Sequence, residues 1–389
     1  MQRCAQLAAA AAVIVLGSAG ANAQDKLRIG LILTLTGPAA VIGAQARDAF
    51  KLAVSNLGGK LGGLETEVIV ADDELKPDLA ITKVKALIER DRVNFVVGPI
   101  FSNILIAIHK PVTDSNAILI SPNAGPSNFA GKQCHPSFFV TSYQNDQNHE
   151  VLGKYAQGKG FKSIFLMAPN YQAGKDALAG VKRHFKGEIL DEVYTTLGQL
   201  DFSAEIAKIA LAKPAAFFTF MPGGMGVNLV KQYRQAGLSN IPFLSAFTTD
   251  EATLPAQMDD ALGFLSGANW APNMDNPQSK AFVAAFESAF NAVPGTYAMQ
   301  SYDAALLIDS AVKGVGGKLD NRDGLRAELK KANFTSLRGK FKFGVNQYPI
   351  QDFFLTRVAK RADGKFQTEI AERVFIDYVD VYAAECGMK

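Results

Sequence analysis

The sequence predicts an α/β protein of two blocks, each a parallel sheet covered by helices on both faces. Three observations carry that reading. LRIGLIL (27–33), VNFVV (93–97) and AILI (117–120) are short and apolar throughout, as strands buried on both faces are. Between them run stretches with amphipathic helical spacing, about Val41 to Leu57, Pro77 to Arg90 and Asn103 to Val112. After a strand at FFVT (138–141) the same alternation restarts.

In the first block LRIGLIL is bounded by TLTGP, and the helix after it stops at Gly58-Gly59. LETEVIVADDE is a strand centred on Val68, Ile69 and Val70, and Pro77 opens the next helix. In the second block a helix from Asp146 to Gln157 precedes strand SIFLM (163–167). A helix from Ala173 to Phe185, strand EILDEVY and a helix from Phe202 to Leu211 follow. Strand AAFFTF (215–220), a helix from Gly226 to Ala236 and strand PFLS (242–245) close the block. Beyond Trp270 the pattern changes to two helices, Ser279 to Asn291 and Tyr297 to Val315. LRGKFKFG and QDFFLTRVAK…GKFQTEIAERVFIDY then alternate as antiparallel strands, with Asp363-Gly364 as a hairpin turn. Such a tail implies that the chain crosses between the blocks more than once. No Ser/Pro/Gly-rich linker marks the join near Thr141, so the blocks are closely hinged.

A chain of 389 residues exceeds one ordinary core. Residues 1–23 carry Arg3, an apolar run from about Leu7 to Leu16 and the small-residue site Ala21-Asn22-Ala23, the pattern of an export signal cut before Gln24. The apolar run is shorter than the ~20 residues a bilayer needs. Basic residues are scattered, which gives no nucleic-acid surface. Cys134 and Cys386 remain after cleavage, either bridged in an oxidising compartment or as separate buried thiols.

No reaction chemistry stands out, and no cofactor or metal is expected. His109, His135, His149 and His184 form no ligand spacing and read as surface or helix-packing residues. No GxSxG or GxxxxGK[ST] occurs, and the paired acids Asp72-Asp73 and Asp259-Asp260 read as solvated turns or helix ends. MPGGMGVN (221–228) lacks the GxGxxG spacing but sits at a strand's carboxyl end, and is kept as a rim candidate. VVGPIFSN (96–103) and ILISPNAGPSN (118–128) both follow buried strands, so a parallel sheet brings them to one edge. Ser102 or Asn103 is expected to cap the helix after the first loop, beside free N–H groups. Gly125 permits close backbone approach, so the pair of loops suits a carboxylate. Ordinary βα turns are the competing reading.

The order of LRIGLILTLTGPAAVIGAQARDAFKLAV, GPIFS, ISPNA, APNYQAGKDALAGVK and TYAMQSYDAALLI resembles the type I solute-binding proteins of ABC transporters, in the branched-chain amino-acid (Leu/Ile/Val-binding) group. The likeness runs from about Leu27 to the C-terminus. It implies two Rossmann-like lobes, three crossovers and a ligand in the interlobe cleft. Residues 24–142 with 273–345 would form one lobe, and 143–272 with 346–389 the other. It implies a periplasmic monomer that carries a small-molecule carboxylate to a membrane permease. Ser102, Asn123, Ala124 and Gly125 would hold the carboxylate, and Tyr171, Pro222, Gly223 and Phe247 would close over the ligand. Ile42, Phe101 and Asn145 complete the expected contacts. The sequence departs from the amino-acid binders where an acid should meet the ligand's ammonium: Ala246 and Phe247 stand there, with Asp250 three residues on. Gly125 also replaces a usual threonine; Asn123 or Ser127 would have to substitute. Burying an ammonium without a carboxylate is costly. The expectation is therefore an aromatic acid with Phe101 and Phe247 against its ring; core packing is the competing reading for these aromatics and the preferred one for Trp270. A hydrophobic amino acid held by Asp250, or a sensing module of the same fold, are the alternatives.

Overall fold

The computed structural model describes residues 26–388; the expected export signal at 1–23 lies outside them. The first sheet contains β1 (Leu27–Leu33), β2 (Lys60–Leu61), β3 (Leu64–Asp72), β4 (Phe95–Val97), β5 (Ile118–Ser121) and β6 (Phe138–Val140), in the order β2-β3-β1-β4-β5-β6. All its pairings are parallel except β2 with β3. Helices α1 (Ala40–Asn56), α2 (Pro77–Glu89), α3 (Ser102–Thr113) and the short α4 (Ser127–Ala130) connect the strands. β1, β4 and β5 are almost fully buried, which is why they carry no polar side for solvent.

The second sheet is built the same way from β7 (Ser163–Pro169), β8 (Glu188–Thr195), β9 (Ala216–Thr219), β10 (Phe243–Ser245) and β11 (Leu265–Ala268), joined in parallel. Its helices are α5 (Gln147–Gly158), α6 (Gln172–His184), α7 (Ser203–Ala212), α8 (Gly224–Gln235) and the short α9 (Leu254–Gln257). The chain then returns to the first lobe as α10 (Pro277–Phe290), α11 (Thr296–Gly314) and α12 (Arg322–Lys331). There α11 packs along α1, and the Gln45 side chain donates to the Val293 carbonyl and accepts from the Gly295 N–H. Finally β12 (Lys342–Phe343), β13 (Pro349–Lys360) and β14 (Phe366–Tyr378) add antiparallel strands beyond β11. The chain has passed between the sheets three times. The fold is the two-lobed α/β architecture the alternation predicts.

The boundaries follow the sequence to within a few residues. Helix α12 and the shorter β2, α4, α9 and β11 escaped it; LSGA in β11 has too little apolar character to announce a strand. LRGKFKFG supplies only the two residues of β12. The expected lobe edge at 345 falls between β12 and β13, which are paired. Trp270 is completely buried, with its Nε1 donating to Ser279, so it stacks on no ligand. Cys134 and Cys386 are joined as a disulfide that ties the C-terminal tail to the segment before β6.

The three crossings meet around one buried arginine. Arg338 donates to the carbonyls of Thr141 and Ser142 on the first crossing and to Gln351 Oε1 on the third. It also pairs with Asp303 of α11, and both side chains are sealed. From the second crossing, Asn269 donates to the same Ser142 carbonyl.

Candidate functional site

A cleft between the two sheets is lined from the carboxyl ends of their parallel strands, where an α/β sheet leaves a crevice. After β4 come Ile100, Phe101 and Ser102; after β5, Asn123 and Ala124. The opposite wall is Tyr171 and Ala173 after β7, Phe220 and Pro222 after β9, and Phe247 after β10. Tyr143, Asn145 and His149 come from the first crossing and α5, and Tyr297 from α11. The empty space is about 350 Å³, counting the open mouth.

Of the expected contacts, Phe101, Ser102, Asn123, Ala124, Asn145, Tyr171, Pro222 and Phe247 meet here. Three do not. Ile42 lies in the first turn of α1 and is buried in the core of the first lobe. The Gly125 N–H donates to Asn145 Oδ1, and a Cβ at Gly125 would lie 1.9 Å from the Tyr143 carbonyl oxygen. Glycine is required there by the neighbouring crossing. Gly223 has a φ of 67° and starts α8 at the rim. Beside it the Gly224 N–H donates to the Pro38 carbonyl at 2.9 Å, which closes lobe against lobe. The rim candidate MPGGMGVN is thus a contact between lobes, with Pro222 alone reaching the cleft.

The polar groups fall into two sets, those already bonded and those left open. Asn123 donates to the Ile100 carbonyl and accepts from the Tyr143 hydroxyl, so its amide is engaged. Ser127 is spent on Asp176 of α6, to which it donates from both N and Oγ across the lobes. Neither replaces a missing hydroxyl. Ser102 Oγ accepts from Asn145 Nδ2 at 3.1 Å, which leaves its own hydrogen free to donate. The same Nδ2 reaches Asp176 Oδ2 at 2.9 Å, so Asn145 bridges the cleft to the interlobe contact. Contrary to expectation, neither Ser102 nor Asn103 caps α3: the helix begins at Ser102 with Phe101 at the cap position and no side-chain cap. First-turn N–H groups have no partner within their own helix. α6 begins likewise, behind Tyr171 and without a side-chain cap. Two helix N-termini, one from each lobe, therefore bring Ser102 and Ala173 to the same cleft.

No Asp, Glu, Lys or Arg lines it. Asp250 stands in the next depression, on the other side of Phe247. Its carboxylate accepts from the Ala252 N–H and the Thr296 hydroxyl, and burial pushes its pKa up to about 6. Phe247 itself has a φ of 59°, a region that costs a bulky residue energy and recurs at functional sites. Its ring stacks on Tyr143 at 5.2 Å and tilts against Tyr297 at 5.5 Å. Burial raises the phenols of Tyr143, Tyr171 and Tyr297 and pushes His149 down to about 3, so all four are neutral.

Sequence reasoning missed Ile100, Tyr143, His149, Ala173, Phe220 and Tyr297. Phe220 had a usable signal, as the last apolar residue of AAFFTF before the glycines. His149 and Tyr297 sit within helical patterns, where nothing in the spacing separates a wall residue from a packing residue.

This two-lobed fold with its interlobe cleft is the architecture of a solute-binding protein. The chain belongs to the periplasmic binding protein family, whose model matches residues 26–365. It is 27% identical over 371 residues to Leu/Ile/Val-binding protein homolog 6 of Brucella melitensis, covering 92% of this chain and 93% of that one. Among solved structures it is similar to an ABC transporter solute-binding protein of R. palustris in complex with benzoate (TM-score 0.89, 30% identity, 94% of this chain and 100% of that one). Another is a solute-binding protein of Rhodopseudomonas palustris BisB5 in complex with 3,4-dihydroxybenzoic acid (TM-score 0.86, 30% identity, 92% and 99%). Members of this family bind small molecules and work with ABC transporter permeases, and the family implies a place in the periplasm. These relatives are binding proteins, not enzymes.

Proposed function

We propose that the protein captures a small aromatic carboxylate in the periplasm and delivers it to an ABC importer. The observation that carries this is the wall: rings and open helix N-termini, with no charged side chain. The ligand's carboxylate sits on the first-turn N–H groups of α3, with the Ser102 hydroxyl donating to it. Oriented dipoles and N–H donors hold an anion without a fixed positive charge. Its ring lies among Phe101, Tyr171, Phe220 and Phe247. An amino acid would bury its ammonium here with no carboxylate facing it, at a cost of several kcal/mol. The two solved structures with benzoic acids bound support the aromatic choice; the Leu/Ile/Val-binding name of the Brucella protein supports the other.

Closure follows from the placement of the two helix ends. A ligand that touches α3 in one lobe and α6 in the other favours the closed state by its differential contacts with it. Thermal unfolding with a panel of benzoates, phenylpropenoates, aryl-keto acids, leucine and phenylalanine tests the reading, since ligand bound to the native state raises the midpoint. Aromatic acids without an amine are expected to raise it. Stabilisation by leucine or phenylalanine alone would sink the proposal.

A further inference from the structure

His149 has a chemistry that carboxylate binding does not use. It lies in the first turn of α5, lines the cleft and is 2% exposed. Its Nδ1 is sealed from solvent and has no hydrogen-bond partner among the described residues. Nε2 is not sealed in this way, so it is the ring nitrogen presented to the cavity. A buried N–H left unbonded is rarer than an unbonded acceptor, which favours the tautomer with the hydrogen on Nε2. The imidazole is then a neutral donor aimed into the cleft. Burial keeps it neutral and denies it a role as countercharge to the carboxylate.

Other rings join it to the α3 end of the cleft. Ring contacts lead from Phe101 to Tyr171 at 6.2 Å, on to Phe220 at 6.3 Å and then to His149 at 5.1 Å. The hydroxyls of Tyr171 and Tyr297, which line the same cleft, make no hydrogen bond among the described residues, although both side chains are buried. A donor and two open hydroxyls match a ligand group that both accepts and donates. An apolar ring edge would leave all three unmet, and unmet buried polar groups are expensive.

We infer that His149 selects hydroxy-substituted aromatic acids over unsubstituted ones, its Nε2–H donating to the oxygen of a hydroxyl on the ligand's ring. The hydroxyl's own hydrogen passes to a tyrosine oxygen. This rests on the aromatic-acid reading and names the substrate class within it.

The test is calorimetric titration of the mature protein and its His149→Leu and His149→Gln variants with benzoate, 3-hydroxybenzoate and 4-hydroxybenzoate. Wild type should bind one hydroxybenzoate about tenfold or more tighter than benzoate, the order expected for one buried hydrogen bond. His149→Leu should lose that preference, and His149→Gln, which keeps a side-chain N–H, should recover part of it. A wild-type preference unchanged in His149→Leu, an equal loss for all three acids, or no wild-type preference overturns the assignment to His149. No binding of any of the three by wild type overturns the aromatic-acid reading itself. Should His149→Leu fail to fold, the imidazole ¹⁵N shifts of wild type decide. A shift of His149 on adding the preferred hydroxybenzoate but not benzoate supports the assignment; the same response to both overturns it.

Discussion

The hinge and the cleft are both buried, both polar and a few residues apart in sequence, yet they treat polar groups in opposite ways. At the hinge a full charge is brought inside and its two terminal nitrogens are met, with only Nε left without a partner: Arg338 meets the Asp303 carboxylate, two carbonyls and a glutamine oxygen. Ser142 gives its carbonyl to that arginine, and Tyr143, the next residue, faces the cleft. There no side chain is charged, and the Ser102 hydrogen, His149 and the Tyr171 and Tyr297 hydroxyls are left without partners. Unmet polar groups are tolerable where a ligand completes them and damaging where three crossings must hold one register. Strength is invested at the pivot, and vacancy is kept at the site.

That contrast can be broken first at the pivot. Asp303→Asn removes one partner of a sealed ion pair and leaves Arg338 buried with an uncompensated charge, so stability should fall by ~3–5 kcal/mol. Urea unfolding of the ligand-free protein measures it, and a loss below about 1 kcal/mol would show that the hinge does not depend on the pair.

A smaller effect is expected at the cleft. Ser102→Ala deletes the one hydroxyl placed to donate to the carboxylate and should weaken aromatic-acid binding by ~1–3 kcal/mol. The unfolding midpoint without ligand should barely move, because the hydroxyl accepts a single bond, from Asn145. Equal losses of stability and affinity would assign Ser102 to packing.

The smallest change is predicted where the lobes touch. Ser127→Ala removes the 2.8 Å hydroxyl bond to Asp176 and keeps the backbone N–H bond to the same carboxylate. The closed state should lose ~0.5–1.5 kcal/mol. Affinity falls by the corresponding drop in the fraction closed. Small-angle scattering should show a more open ligand-free protein; unchanged scattering and affinity would mean that this contact takes no part in closure.

Much of this was legible before any coordinates. Apolar strands without a polar face announced parallel sheets, and the loops after VNFVV and AILI were read as facing one crevice, which they do. The missing acid at Ala246 and Phe247 pointed to a site without a partner for an ammonium, and the cleft wall has none. What failed was local detail. Gly125 looked free for a ligand and serves the Tyr143 crossing, and Ile42 faces the core from the first turn of α1.

The sequence by itself determined the alternation of strand and helix, the restart near Thr141 and the loops that end the strands. These follow from periodicity and turn chemistry along one stretch of chain. Only the tertiary structure decided which polar groups remain open, because that depends on partners far away in sequence. Ser127 is taken by Asp176, Gly125 by Asn145, and Arg338 by the crossing at Thr141 and Ser142. His149 is left to the cleft by the same accounting: no other part of the described fold brings it a partner.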